Sequence, residues 1–305
     1  MLAKDYTKQI NKVIDYIHSH IDRRLSVTEL CSIADLSPYH FHRIFTTTIG
    51  ESLAKYVMRK RLEKSANLLL GDFNAPIMNI AFECGFNSVN VFCRNFKRHF
   101  GITAEVYRSK KKEENSKNRP FKSKKDTENR LYSQYFCTRK TIIIGDKTMN
   151  CTFEIKKIAT FNMIYYRHTG AFDAMEMAFT KLMQWAYPRG LVTFPETKLL
   201  SVYHDNPDIT AKNKLSSDAG MIVKEKIKTD GEIGQYEVEG GLYAVGRFEL
   251  AMEDFPDAWH TMFKLVEEHG CQCSNAYHFE IYQNNRDEHP EKKWIVDIYI
   301  PVKVN

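Results

Sequence analysis

The chain has 305 residues, 43% of them apolar and 27% charged; this composition excludes overall disorder, and the length points to two domains. Its net charge of +6 is unevenly spread: residues 1–110 hold 16 Lys/Arg against 10 Asp/Glu, residues 111–140 hold 10 against 4, and residues 141–305 hold 18 against 24. A basic front and an acidic back exclude a uniformly basic coat protein and give an anionic polymer partner to the front only.

In chain order, Ile10, Val13, Ile14, Ile17 and Ile21 recur at helical spacing, which predicts a helix over residues 5–21 with one buried face. Ser26 followed by Glu29 has the form of a capping box, and Val27, Leu30, Ile33 and Ala34 give the helix it opens an apolar stripe. Ser37-Pro38 starts a further helix with Phe41, Ile44 and Phe45 inside. Helix, tight turn, helix is the helix-turn-helix arrangement. It returns roughly 50 residues later: Ile77, Ile80, Ala81 and Cys84 form the first helix, Gly85-Phe86 the turn, and Ser88 opens a second helix with Phe92 and Phe96 inside. Residues 52–70 between the two units read as one long helix carrying Arg59-Lys60-Arg61.

A helix that reads a major groove needs polar and cationic groups opposite its core stripe. Residues 37–48 offer Tyr39, His40, His42 and Arg43; residues 88–99 offer Val89, Asn90, Cys93, Arg94 and Lys97. Arg can bond two acceptors of guanine, and Asn can do the same for adenine. Lys55, Arg59, Lys60, Arg98 and Arg108 are expected nearer phosphates. His40 and His42 do not share a helical face, so no metal site is expected of them. SVTELCSIADLSPYHFHRIF and IAFECGFNSVNVFCRNFKRHFGITAEVYR resemble the DNA-binding domain of the AraC/XylS family, with Ala104 where that family usually has proline. The resemblance covers about a third of the chain. It implies double-stranded DNA as partner, contacted by Tyr39, His42 and Arg43, then by Asn90, Cys93, Arg94 and Lys97.

Residues 109–130 have almost no apolar content and read as a solvated linker. The expected division is therefore 1–110 for the helix-turn-helix domain, 111–149 for a basic linker and 150–305 for the back domain. Thr141 to Ile144 are ambiguous between strand and linker end. Further on, strand-like runs at 161–167, 198–204, 219–223, 242–248, 277–282 and 294–300 alternate with helical stretches at 171–187 and 255–269. They form an internal repeat: Ala178-Phe179 match Ala258-Trp259, and Val202-Tyr203, Asp205 and Asp218 match Ile281-Tyr282, Asn284 and Asp297. The predicted fold class is multidomain: an all-α double helix-turn-helix domain, then an α+β domain of two strand-helix-strand-strand repeats with a central cleft.

In Tyr277 to Tyr282, alternation puts His278, Glu280 and Tyr282 on one face, with Ser201 the repeat equivalent of Glu280. A lone carboxylate among aromatics suits a cation, though periodicity alone favours a solvated strand residue. Candidate walls are Tyr165, Trp185, Tyr187, Phe194, Tyr203, Trp259, Trp294 and Tyr299. YYRHTGAF, LLSVYHDNPDIT with Asp218, and FEIY followed by WIVDIYIPV resemble the GyrI-like family. That resemblance implies a cleft in which Glu280 meets a lipophilic cation, with the tyrosine-rich stretch at 165–166 and Trp185 beside it; the candidate ligand contacts besides Glu280 are Tyr165, Trp185, Tyr203 and Tyr282.

The combined expectation is a cytoplasmic transcriptional regulator, more an activator than a repressor, with a small-molecule effector and RNA polymerase as a further partner. No catalytic residue, cofactor, metal or membrane contact is expected. Charge near Met1 with no apolar core after it argues against secretion, and the seven cysteines then read as reduced thiols. Two rivals stay open. One is a small-molecule hydrolase using Glu280. The other is a constitutive DNA binder with a protein-interaction module, which gains weight if the cleft is filled by its own side chains.

Overall fold

The computed structural model describes residues 6–71, 74–117, 138–144, 147–274 and 276–304. Seven helices come first: α1 (Thr7–Ser19), α2 (Val27–Ala34), α3 (Pro38–Ile49), α4 (Leu53–Gly71), α5 (Ile77–Glu83), α6 (Val89–Phe100) and α7 (Ala104–Lys117). The strands β1 (Thr138–Ile144), β2 (Lys147–Ile158), β3 (Phe161–Thr169), β4 (Leu199–Tyr203), β5 (Ser216–Val223), β6 (Ile233–Val238), β7 (Gly241–Leu250), β8 (Cys271–Cys273), β9 (His278–Tyr282) and β10 (Trp294–Val304) follow. Helix α8 (Met175–Ala186) lies between β3 and β4, and α9 (Phe255–Glu268) between β7 and β8. Helix α7 and strands β1 and β2 thus extend into the 111–149 stretch; residues 118–137 lie outside the described residues. No described helix is long and apolar enough to cross a membrane.

The chain divides into two compact units. The first holds the front helices together with Asp205–Ala211 and Asp230–Gly234. It has two cores, one per helix-turn-helix. Ile10, Val13, Ile17, Leu30, Phe41 and Phe45 build one; Ile80, Ala81, Phe86, Phe92 and Phe96 build the other. Helix α4 serves both, giving Leu53 and Tyr56 to the first and Leu62, Ala66 and Leu69 to the second. Local chemistry sets the helix ends. Ser26 Oγ accepts the Glu29 amide at 3.1 Å, and Gly50 and Gly101 close α3 and α6 at left-handed φ of 76°. Thr103 Oγ1 accepts the Val106 amide at 3.3 Å, so α7 starts on a capping threonine although Ala104 replaces the usual proline.

In the second unit one sheet runs β1-β2-β7-β10-β9-β4-β5-β3-β6, with β8 paired to β10. The repeat is plain in that order. Outward from the central β9/β4 pair, one side reads β4, β5, β3 and the other β9, β10, β7. The register puts Ser201 opposite Glu280, the two equivalent positions, so the pseudo-two-fold passes between them. Helix α8 packs on β3 and β5, and α9 on β7, β10 and β8. Gly246 lets α9 come close: a Cβ there would stand 2.2 Å from Met262 Sδ. The opposite face of the central strands carries Met163, Tyr165, Leu200, Val202, Phe279 and Tyr299 as a second core.

Candidate functional site

On the first unit, Phe41 and Phe45 turn inward on α3, which leaves Tyr39 (77% exposed), His40, His42 and Arg43 on the surface. On α6, Phe92 and Phe96 turn inward, and Asn90, Arg94 and Lys97 line the exposed side at positions i, i+4 and i+7. The guanidinium groups of Arg43 and Arg94 have no hydrogen-bond or ion-pair partner among the described residues. Val89 and Cys93 are placed differently from the expectation: both are half-buried and pack against the second core, because Val89 stands three residues before Phe92 on the same helical face and Cys93 is next to Phe92.

Two of the expected phosphate contacts are also corrected. Arg59 is buried and bound to Glu51 and Glu63, whose charges outweigh the effect of burial and raise its pKa. Lys60 is buried and paired with Asp205 of the same unit. Arg98 donates to Asn95, and Lys55 is exposed. Arg61 holds the fold from its side chain, donating to the Ile21 and Arg23 carbonyls at 3.0 and 2.6 Å.

On the second unit, Glu280 lies in the floor between α8 and α9 and is 1% exposed. Tyr203 and Tyr282 each donate to its Oε1, at 2.6 and 2.7 Å, and the Trp259 indole donates to Oε2 at 3.2 Å. Since the Tyr282 hydroxyl donates to Glu280, the 2.8 Å contact with Ser201 has Ser201 as donor. Burial pushes the Glu280 carboxyl above its ordinary range, and the three hydrogen bonds oppose that rise. Burial also raises both tyrosines, and the neighbouring Glu280 charge adds to it. His278, on the same strand face, is pushed down to about 4 by burial and is neutral at ordinary pH. No cationic side chain among the described residues pairs with Glu280.

Aromatic rings close the site. Phe172 and Trp259 meet the Tyr203 ring edge-on at 4.8 and 5.5 Å, and Phe179 and Trp294 meet Tyr282 at 5.7 and 5.0 Å. Of the expected ligand residues, the fold therefore gathers Glu280, Tyr203 and Tyr282. It sets Tyr165 on the other face: Tyr165 pairs with Gly220, which pairs with Leu200, in the opposite core. Tyr166 shares the row of Ala219, Ser201 and Glu280 instead. Trp185 sits at the end of α8 with the Arg189 guanidinium 4.1 Å from its ring. Tyr299 stacks on Phe279 in the opposite core, while Tyr187 and Phe194 are exposed. Phe179 joins the site without having been among the candidate walls; its signal in the sequence is the repeat match to Trp259.

Beneath this floor, Asp218 is fully buried. It accepts two bonds from Arg167, both at 2.8 Å, one from Tyr236 at 3.0 Å, and meets His204 at 2.7 Å. Burial alone would raise its pKa; Arg167 and His204 outweigh burial and hold the carboxyl well below the usual range. The repeat partner, Arg247 with Asp297, is bidentate too, but the Arg247 side chain is 55% exposed. Among the described residues no group of three His, Cys, Asp or Glu is placed to hold a metal ion.

Likeness to known proteins follows the same division. Residues 152–303 match the GyrI-like small molecule binding domain family, and residues 30–110 match a helix-turn-helix domain family. Over 153 residues the chain is 32% identical to the DNA gyrase inhibitor of Salmonella typhimurium, a match covering 48% of this chain and 92% of that protein. It is 34% identical over 104 residues to YbfP, an uncharacterized HTH-type transcriptional regulator of Bacillus subtilis, covering 34% of this chain and 35% of that one. The right origin-binding protein of Escherichia coli is 32% identical over 99 residues, covering 32% of this chain and 34% of its own. The chain thus spans about a third of the length of the relatives that share its front domain.

Proposed function

We propose that this chain, which belongs to the GyrI-like small-molecule-binding family and carries a helix-turn-helix domain that resembles the AraC/XylS type, is a cytoplasmic transcriptional regulator, an activator working with RNA polymerase, that senses a lipophilic cation. One observation carries this reading: each unit leaves a charge without a counter-charge. Arg43 and Arg94 stand free on the faces of α3 and α6, where duplex DNA offers guanine edges and phosphates. Glu280 is held by three neutral donors among aromatic rings, a site that a cation completes. A ligand that binds one state of the protein better shifts the population toward it.

A second reading has an observation of its own. Glu280 is only 1% exposed and its carboxylate is already held by Tyr203, Tyr282 and Trp259, which suits a constitutive DNA binder with a protein-interaction module. One set of measurements separates the two. Duplexes selected by the protein from a random pool provide the operator; Arg43→Ala and Arg94→Ala are each expected to weaken operator binding by about 1–3 kcal/mol. A panel of lipophilic cations is expected to raise the thermal midpoint of the intact chain, and Glu280→Gln to abolish the rise. Unchanged operator affinity in both variants overturns the docking, and absence of any thermal shift leaves the interaction-module reading.

A further inference from the structure

Three consecutive residues at the end of β4 serve three different parts of the molecule. Tyr203 donates to Glu280, and His204, its side chain buried, meets Asp218 at 2.7 Å. The next residue opens the stretch Asp205–Ala211, which belongs to the helical unit and there forms the buried pair of Asp205 with Lys60 of α4. Its neighbours add to the hold: Asn206 donates to Asn67 Oδ1 at 3.0 Å, and Ile209 packs against the second helix-turn-helix core. Asn206 also accepts the Asp208 amide on its side chain and the Ile209 and Thr210 amides on its carbonyl, so the stretch is a hydrogen-bonded turn. Lys60 in turn lies over the Tyr56 ring of the first core, 5.8 Å away. The turn therefore grips α4 where its two cores meet, along the helix from Lys60 to Asn67, about 10 Å. At the equivalent position of the repeat, Asn284 stays in its own unit, donating to the Lys293 carbonyl at 3.0 Å and accepting the Ile295 amide at 2.7 Å.

Building on the DNA reading, we infer that Asp205–Ala211 is the element that couples the back domain to the two reading helices, with Asp205 as the positioning residue. Helix α4 carries both helix-turn-helix cores, so its pose sets the spacing of α3 and α6, and successive major grooves accept two reading helices only at about 34 Å. Lys60 and Asp205 are buried together, so neither moves away without stranding the charge of the other. Adjacent Cα atoms are about 3.8 Å apart, and a shift of β4 at Tyr203 reaches Asp205 within two residues. Coupling is reciprocal: if the state of β4 biases α4 toward or away from DNA, bound DNA biases β4 by the same free energy.

Reciprocity allows a test on the intact chain without an effector. Trp185, Trp259 and Trp294 all lie in the second unit, so tryptophan fluorescence in urea follows that unit while DNA binds the other. Operator duplex from the random-pool selection, at about a hundredfold its Kd, is expected to raise the urea midpoint of the fluorescence transition by roughly 0.5–1 M, with a scrambled duplex as the blank. Asp205→Asn is expected to abolish that shift while the variant still binds operator; a purely structural role would lower the stability of the helical unit and leave the shift in place. Ile209→Ala, which trims a half-buried side chain, is expected to cut the shift by half or more, and it decides the matter if Asp205→Asn does not fold. A midpoint that bound operator leaves unmoved in the unaltered chain overturns the coupling and leaves the DNA reading standing. A full shift in the variants overturns its assignment to this turn. Failure to select any duplex overturns the DNA reading, and this inference with it.

Discussion

Arg167–Asp218 and Arg247–Asp297 are equivalent pairs of the internal repeat, yet their burial predicts very different worth. Asp218→Ala removes the acceptor of both Arg167 bonds and leaves a guanidinium whose side chain is 4% exposed; Tyr236 and His204 lose a partner as well. Breaking a buried pair by deleting one partner costs about 3–5 kcal/mol. For a unit of this size, about 2–4 °C per kcal/mol converts that to a fall of roughly 6–20 °C in the midpoint. Asp297→Ala leaves Arg247, 55% exposed, to rehydrate and takes one acceptor from Gln283, and the expected cost is about 1–2 kcal/mol. All three tryptophans, Trp185, Trp259 and Trp294, lie in the second unit, so tryptophan fluorescence in the intact chain reports that unit alone during thermal or urea unfolding. Asp218 is depressed in the fold, so its contribution is present above the unfolded carboxyl pKa and is lost as pH falls through the folded value. Equal costs for Asp297→Ala and Asp218→Ala, or a cost under about 1 kcal/mol for Asp218→Ala, would mean that burial does not set the worth of these pairs.

Two further outcomes are expected. Cation binding needs the charged form of Glu280, whose pKa burial raises, so affinity should climb as pH rises through that value and level off above it, with proton uptake by buffer on binding; a Kd independent of pH from the ordinary carboxylate range upward contradicts this. The same raised pKa gives the ligand-free fold a contribution that is complete below the unfolded pKa and lost as pH rises through the folded one. Gly85→Ala should destabilise the helical unit by about 2 kcal/mol or more, followed by circular dichroism. At φ 78° its Cβ would stand 2.5 Å from the Ile21 carbonyl and 2.9 Å from the Arg61 guanidinium, whereas Gly50→Ala at φ 76° meets nothing within 4 Å. Equal costs for the two substitutions would show that the Arg61 contact does not matter.

Local spacing carried much of this molecule. The front helices up to α6 and the repeat of the back half follow from apolar periodicity, which depends only on which face of an element meets a core; α7 runs to Lys117 through residues that read as linker, having almost no apolar content. Strand β2 is legible as well, in the alternation Met149, Cys151, Phe153, Ile155. Strands β6 and β8 were not: one lies at the sheet edge and the other has three residues, so neither needs a strong pattern. Glu280 with Tyr282 was visible from parity within one strand.

Whether Tyr165 or Tyr166 faces Glu280 depends on the register carried across β3, β5, β4 and β9, and a shift of one residue would exchange them. No local pattern encodes that chain of pairings. The same holds for charge. The sequence supplies Arg43, Arg59, Lys60 and Arg94 as equal cations. Folding buries Arg59 and Lys60 against Glu51, Glu63 and Asp205 and leaves Arg43 and Arg94 outside. Residue type and period determined what each element is; only the tertiary structure decided which charges are neutralised, because an ion's partner and its distance from water are set by segments far apart in the chain.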